Sequence, residues 1–224
     1  IISKLFTGGL RVLRGHFPGL RIAFACRQEY ADLVRPLPWI DRVFQIPTDW
    51  QRTGLMTRLR RWRMRNAITG RSYNTVIHAG YTTDPVGHEL CRDVKAGHKY
   101  WYAVPNSPDA GFYDNLVSVD AAAHELDKYR ALVGAVCGET VPGRESMYPD
   151  LCLDKTERGK AVATAGEARR WKQGALLLAL CAGARFRRKD WSGEHFVELL
   201  RRLASDRPLC ALLVGGLEDR NKHA

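Results

Sequence analysis

Short apolar runs alternate with amphipathic stretches along most of this chain. Leu10, Leu13 and Phe17 recur at helical spacing, and Pro18 and Gly19 end that helix. Runs rich in Val, Ile, Leu and Ala then predict strands, which fall at residues 20–25, 42–46, 73–79, 99–104, 175–180 and 209–214. Strands that alternate with helices in this way are typical of an α/β fold with a mainly parallel sheet.

Further helices are predicted between those strands. The clearest follows Ser192, a good N-cap, because apolar residues then recur with i, i+3, i+4, i+7 spacing from Phe196 to Leu203. Another begins with Thr156 as its cap and runs to Trp171. The remaining predicted helices cover 28–34, 52–69, 88–94 and 119–136.

A loop rich in Pro and Gly separates two predicted domains near Pro149. The first covers 1–149, and the second covers 150–224. The second contains only two main strands, too few for a complete doubly wound sheet, so we expect it to be truncated. The chain starts at Ile1 and stops soon after a strand. We therefore expect a fragment of a longer protein.

Composition limits the possible partners. The chain of 224 residues carries a net charge of +11, which attracts nucleic acid, anionic lipid or phosphorylated substrates without choosing among them. No apolar run approaches the ~18 residues that span a bilayer, and no signal peptide is recognised. The six cysteines form no Cys-x-x-Cys pair, so we expect reduced packing residues rather than a zinc site or disulfides.

The segment from Ala175 to Arg220 carries the sharpest chemical signal. A strand leads into a small basic loop, where Arg185 and Lys189 precede the helix that begins at Ser192. Backbone N–H groups, the helix dipole and these cations all favour a bound diphosphate. The next strand ends in Gly215-Gly216-Leu217-Glu218-Asp219, whose carboxylates suit ribose hydroxyls. The alternative, a solvated basic loop beside an ordinary helix cap, fits the residues equally well.

A second signal is the basic stretch within the predicted helix 52–69. Its arginines suit an anionic partner, such as a phosphorylated glycolipid or the anionic membrane face that carries it. The alternative is a solvated helix face with Trp62 and Met64 packed inward. Nucleic acid is disfavoured, because one tryptophan is a thin stacking platform and no nucleic-acid module is present. The arginines concerned are Arg58, Arg60, Arg61 and Arg63.

The histidines at 78, 88 and 98 raise a metal hypothesis that their spacing disfavours. They fall in different predicted elements, and no i, i+4 pair exists. His78, at the carboxyl end of a strand, is instead a candidate ligand contact, and Asp84 is a similar one. No G-x-G-x-x-G follows a strand and no P-loop motif occurs, which argues against dinucleotide and P-loop sites.

Several segments, in chain order, resemble motifs of glycosyltransferase family 9, the lipopolysaccharide heptosyltransferases. Lys189–Leu199 is similar to the family's K-x-W-p-x-e-x-f-x-x-L segment, and 182–184 to its p-G-A. Residues 214–219 resemble its strand followed by G-G-x-x-(D/E). Further similar segments are 10–18 (l-x-x-L-x-x-x-x-P), 37–43 (h-P-x-i-D-x-v), 73–80 (y-D-x-v-I-d/h-x-x-g) and 124–129 (H-x-v-x-r-y), and Thr7 falls near the family's Thr-Pro.

The resemblance implies a GT-B fold of two Rossmann-like domains, with the nucleotide-sugar donor bound mainly by the second. Lys189 is then the residue that stabilises the departing diphosphate, and Asp219, with Glu218 beside it, contacts the ribose. Neither a metal nor a cofactor is implied. The implied donor-binding residues are Ala182, Gly183, Arg185, Lys189, Ser192, Gly215, Gly216, Glu218 and Asp219, and the acceptor-side residues are Thr7, Arg58, Arg60, Arg61, Arg63 and His78.

Two parts of the family pattern are missing. The catalytic Asp of the family's Gly-Asp pair would align just before Ile1, and its D-(T/S)-G-x-x-H segment would follow Ala224. We therefore expect the chain as given to be inactive and to lack the first strand of its first domain. The catalytic base would be supplied by the longer parent protein.

The function implied for that parent is transfer of a sugar, with ADP-heptose as the usual donor, to an anionic glycolipid such as the lipopolysaccharide inner core. The expected location is the cytoplasm, with peripheral contact at the inner membrane face. The alternative is a non-catalytic basic domain that binds nucleic acid or anionic membrane through its net charge of +11.

Overall fold

A computed structural model gives the fold of the chain. It describes residues 6–48, 50, 53–81, 84–141, 143–149, 151–170, 174–181, 183 and 191–215. The chain divides into two compact units, Ile1–Cys152 and Leu153–Ala224. The loop composition predicted the boundary near Pro149, and the observed division lies three residues later.

The first unit alternates helices and strands from its start. Short 3-10 turns at Gln28–Tyr30, Ala110–Phe112 and Arg144–Met147 join some of them. The elements are α1 (Thr7–His16), β1 (Ala23–Arg27), α2 (Ala31–Val34), β2 (Arg42–Ile46), α3 (Leu55–Thr69), β3 (Ser72–Ile77), α4 (Pro85–Asp93), β4 (Lys95–Tyr102), β5 (Asn115–Val117) and α5 (Glu125–Cys137).

The second unit continues the alternation with α6 (Lys155–Arg170), β6 (Leu176–Leu180), α7 (Gly193–Asp206) and β7 (Leu209–Leu213). Asp154, not Thr156, caps α6. The Asp154 side chain accepts from the Glu157 N–H at 2.7 Å, and the Glu157 side chain accepts from the Asp154 N–H at 3.1 Å. This reciprocal capping box fixes the helix start two residues earlier than the sequence indicated.

Among the other boundaries, the starts of α5 and β4 differ most from the expected ones. α5 begins at Glu125 instead of Val119, because the His124 ring accepts from the Leu126 N–H and caps the helix there. Just before it, the Asp120 side chain bonds the Ala122 N–H and holds the chain in a turn. β4 begins at Lys95, four residues before the predicted strand, because its polar first half pairs with β3.

All strand pairs in the described residues are parallel, which confirms the predicted α/β class. β1 pairs with β2, β3 pairs with β4 and β4 with β5, and β6 pairs with β7. The main core of the first unit packs α1 and α5 against the sheet, with Leu132, Val133 and Met147 fully buried.

An apolar cavity of about 430 Å³ separates the two sheets of the first unit. Within the described part of the chain, β1 and β3 each pair on one side only. The cavity lies between them, and its lining includes Phe24 of β1, Val76 of β3, Leu13 of α1 and Leu90 of α4. The missing first strand stays a prediction.

Candidate functional site

The carboxyl ends of β6 and β7 form one candidate site. The two strands are in parallel register from Leu176–Leu209 to Leu180–Leu213, and the Val214 N–H donates to the Leu180 carbonyl at 2.8 Å. Residues that follow the two strands therefore emerge at the same edge of this sheet. Gly183 and Gly215, both predicted donor-binding residues, lie just beyond that edge.

The N-terminus of α7 follows the loop that leaves β6. The Ser192 hydroxyl accepts from the His195 N–H at 3.4 Å and lies 2.7 Å from the His195 ring Nδ1. Ser192 is thus the N-cap that the sequence predicted. Its oxygen satisfies one helix N–H, while Glu194 places a carboxylate in the same first turn and offsets part of the dipole's attraction for an anion.

Trp191 lies immediately before this cap. Its indole stacks on the His195 ring with centroids 5.4 Å apart and meets Phe196 edge-on at 4.9 Å. The indole stays about half exposed. The two ring contacts hold Trp191 against the first turn of α7.

Of the predicted donor-binding residues, the structure describes Gly183, Ser192 and Gly215, and it places all of them after the carboxyl ends of β6 and β7 or at the start of α7. Whether they contact a donor stays a prediction. The others lie outside the described residues, and their assignments also stay predictions: Ala182, Arg185, Lys189, Gly216, Glu218 and Asp219.

The four arginines of α3 that were predicted to meet an anionic partner separate into two groups. Arg58, Arg60 and Arg63 are exposed, and no partner is found for them among the described residues. Arg61 instead turns back onto the protein, where it donates to the Trp50 carbonyl at 3.2 Å and lies over the Trp50 ring. Arg61 therefore differs from the other three, which remain available to an anionic partner.

The inward face of α3 is not the expected one. Trp62 is 59% exposed, so the interpretation that it packs inward is wrong, whereas Met64 does pack against the small core around Trp50 and Ile68. Leu55 and Leu59 are exposed as well. The helix therefore carries an apolar face that points to solvent.

Two predicted acceptor contacts are buried. Thr7 is 1% exposed at the start of α1, and His78 is fully buried after β3. An acceptor in solvent reaches neither side chain in this structure, because helices and loops of the first unit cover both. These two assignments are corrected accordingly: the residues belong to the core of the first unit.

His78 belongs to a buried polar cluster that the sequence did not reveal. The Tyr113 hydroxyl lies 2.8 Å from Nδ1 of His78 and 2.8 Å from Nδ1 of His88. A phenol oxygen both donates and accepts, so one hydroxyl serves both imidazoles, and the Cys91 thiol contacts it as well. Trp101 packs beside both rings and donates to the Gly80 carbonyl at 2.7 Å.

Carboxylates lie near the outer nitrogen of each ring. Asp84 is 3.9 Å from Nε2 of His78, and Asp109 is 3.7 Å from Nε2 of His88. Burial lowers the pKa of His78 from 6.5 to about 2 and also lowers the pKa of His88. Both rings are thus neutral at physiological pH, and these long contacts are not ion pairs.

No group of His, Cys, Asp and Glu in the described residues is arranged to hold a metal ion. The sequence did place His78 at a strand end and Asp84 after it, but it treated His88 as unrelated. The missing signal was Tyr113, which lies in sequence far from either histidine and whose contacts depend on the three-dimensional fold.

All six cysteines are free thiols. Cys26 and Cys91 are buried, as expected for packing residues, while Cys181 is exposed just after β6. Burial raises the pKa of Cys26 to about 11, which keeps it an unreactive thiol. None of the described helices is long and apolar enough to cross a membrane.

Comparison with known proteins finds similarity in structure but not in sequence. Neither the protein-family models nor the curated proteins give a match. Among solved structures, the chain is similar to E. coli heptosyltransferase WaaC with ADP-2-deoxy-2-fluoro heptose. The TM-score is 0.70 at 16% identity, over 98% of this chain and 67% of that one.

Two further solved structures agree. A glycosyltransferase family 9 protein from Veillonella parvula gives a TM-score of 0.66 at 16% identity, over 97% of this chain and 60% of that one. E. coli ADP-heptose LPS heptosyltransferase II gives a TM-score of 0.60 at 14% identity, over 98% of this chain and 62% of that one. The chain thus spans about two thirds or less of these proteins. With its parallel strands and alternating helices, it has the α/β fold of the GT-B glycosyltransferases, in truncated form.

Proposed function

We propose that the protein to which this chain belongs is a glycosyltransferase that moves a sugar from a nucleoside diphosphate to an anionic glycolipid. The single observation that carries the proposal is the likeness of fold, over 98% of the chain, to a heptosyltransferase solved with an ADP-sugar analogue. ADP-heptose is the proposed donor, and a phosphorylated lipopolysaccharide core is the proposed acceptor.

The donor site is proposed at the carboxyl edge of β6 and β7. Gly183 follows β6 and Gly215 follows β7 at this edge, and α7 comes between the two strands in the chain. Glycines leave room for a phosphate to approach the backbone, and helix N–H groups favour its charge. Lys189 and Arg185 would add the cations that a diphosphate needs, and Glu218 or Asp219 would accept from the ribose.

The proposed reaction is a direct displacement. The bond between the anomeric carbon and the diphosphate oxygen breaks, and a bond from the acceptor hydroxyl oxygen to that carbon forms. The hydroxyl proton passes to a carboxylate base, and the nucleoside diphosphate leaves with the bonding electron pair. Lys189 would stabilise the charge that develops on the leaving oxygen.

The acceptor side is proposed on the first unit, at Arg58, Arg60 and Arg63 of α3. These guanidinium groups are exposed and unpaired among the described residues, and a planar guanidinium binds phosphate and carboxylate through paired hydrogen bonds. Arg61 is assigned to the packing of Trp50 instead.

The donor assignment is tested with Lys189→Ala in the protein expressed from its complete coding sequence. We expect the rate of transfer from ADP-heptose to fall by about 10²–10³-fold, because one fixed cation on the leaving group is lost. Calorimetric titration with ADP should show weaker binding in the same variant. The matched control is Arg201→Ala, which removes a cation from the exposed side of α7.

Unchanged turnover in Lys189→Ala would remove the assignment of this residue. Absence of any binding of ADP or another nucleotide sugar to the complete protein would overturn the proposal as a whole. The alternative, a non-catalytic polyanion-binding domain, is favoured by the net charge of +11. It predicts salt-sensitive binding to any polyanion and no preference for a nucleotide sugar.

A further inference from the structure

Helix α3 exposes an apolar stripe on the side that faces away from the protein. Leu55, Leu59 and Trp62 follow one another at i, i+4 and i+7, and their exposed fractions are 80%, 39% and 59%. Met56, 63% exposed, widens the stripe near the helix start. Large apolar side chains that are contiguous and exposed mark an interaction surface.

The opposite face of the same helix is already occupied. Thr57 and Ile68 are buried, and Met64 packs with Ile68 against Trp50. Arg61 also lies on this inner side and bonds the Trp50 carbonyl. The stripe is therefore not a core face left uncovered by chance, because α3 has a separate face that holds it on the sheet.

Cations border the stripe on both sides. At 100° per residue, Arg58 lies beside Leu55 and Trp62 on one flank, while Arg63 and Arg60 lie on the other. The first turn and the last turn contain no acidic side chain to offset them. A partner that fits this surface must therefore have an apolar region for the stripe and negative charges on both sides of that region.

An anionic lipid bilayer has both features, with negative headgroups at its surface and apolar acyl chains beneath them. The acyl boundary lies about 5–10 Å below a layer of headgroup phosphates, and helices that lie in this interface carry Leu and Trp on one side and Arg at the edges. A nucleic acid supplies the phosphates but no apolar layer for Leu55 and Leu59. Charge complementarity and the apolar stripe together favour lipid.

We propose that α3 lies flat in the surface of an anionic membrane, with Leu55, Leu59 and Trp62 inserted among the acyl chains and with Arg58 and Arg63 on lipid phosphates. The stripe thereby holds the first unit against the lipid. This docking deepens the proposed function, because a glycolipid acceptor is presented at such a surface. The evidence for the docking itself is the geometry of α3.

The test uses the 224-residue chain and sedimentation with vesicles of phosphatidylcholine, with or without about 30% phosphatidylglycerol. No sugar donor or acceptor is present, so the result is independent of transferase activity. We expect binding to the anionic vesicles only. Leu59→Ser with Trp62→Ser should weaken it by about tenfold or more, and Arg58→Gln with Arg63→Gln by roughly 30-fold.

Matched controls are Val162→Ser, an exposed apolar residue on α6, and Arg130→Glu, an exposed arginine on α5; both should bind as the parent chain does. Insertion is measured separately with brominated lipids in the unmodified chain. Trp62 should be quenched by them, and Trp62→Phe should keep binding while losing most of the quenching.

Equal binding by the Leu59→Ser, Trp62→Ser variant, or no quenching by brominated lipid, would overturn the proposal. So would equally tight binding to a soluble polynucleotide that the apolar substitutions leave unchanged, since that result would assign α3 to polyanions in general. Loss of binding in the two control variants would contradict it as well.

Discussion

At the scale of single residues, the Tyr113 hydroxyl has the most demanding role. It satisfies Nδ1 of two buried imidazoles at 2.8 Å each, and no other described side chain reaches either nitrogen. Gly87 makes room for the arrangement, since a Cβ at that position would stand 2.6 Å from Nε2 of His78. A buried polar group costs little while it is paired and much once its partner is lost.

Tyr113→Phe should therefore destabilise the first unit well beyond its small change in volume. We expect the free energy of unfolding to fall by about 2–4 kcal/mol, because two buried ring nitrogens lose their partner. Urea denaturation followed by circular dichroism measures it. The control is Tyr148→Phe, an exposed tyrosine, for which we expect a change within about 0.5 kcal/mol. Equal effects at the two positions would show that the shared hydroxyl contributes nothing.

The same cluster predicts acid sensitivity in a defined window. Burial lowers the pKa of both histidines in the folded state, so only the unfolded chain takes up their protons as the pH falls through about 6.5. Stability should be constant above that pH and fall below it, by up to about 1.4 kcal/mol per pH unit for each histidine.

Urea midpoints between about pH 7.5 and 5 measure this loss, in a range where the carboxyls with lowered pKa, Asp41 and Asp127, stay ionised. His88→Gln should reduce the slope, whereas His98→Gln, at an exposed position on β4, should not. A slope that is the same in His88→Gln as in the parent chain would assign the acid effect to other groups.

At the scale of elements, apolar periodicity predicted the type and order of the helices and of every strand except the short β5, but not which face of α3 is buried. The apolar stripe Leu55, Leu59, Trp62 has a cleaner helical period than the true inner face, which contains Thr57 and Arg61. Periodicity identifies an amphipathic helix without identifying its partner. The burial of Thr57 and Ile68 and the contacts of Arg61 with Trp50 distinguish the two faces, and all of them depend on the fold.

The two candidate sites also differ in how far the sequence could predict them. Parallel pairing of β6 with β7 and the Ser192 cap follow from local sequence, so the edge that carries Gly183 and Gly215 was predictable. The His78–Tyr113–His88 cluster was not, because its members meet only when β3, α4 and the segment before β5 pack together. Long-range packing leaves no periodic trace in the sequence.

At the scale of the whole molecule, burial is divided unequally between the two units. The first contains nearly all of the buried apolar side chains, whereas in the described part of the second only Leu180 is buried to a comparable degree. Helix α7 has a strongly apolar face, yet none of its residues is buried. Buried apolar area is the main stabilising contribution to a fold, so the described part of the second unit receives little of this stabilisation.

Hydrogen exchange should reveal this difference directly. We expect amides of β6 and β7 to exchange roughly 100-fold or more faster than those of β4, because the opening free energy of a segment follows the apolar burial around it. Trp101 and Tyr102 hold β4 in the core, while Leu176 and Leu213 leave the ends of β6 and β7 open to solvent. Mass spectrometry of exchanged peptides measures both regions in one sample, so β4 is the internal control. Equal protection of β6 and β4 would contradict this prediction. The low apolar burial of the described residues would then not determine the stability of the second unit.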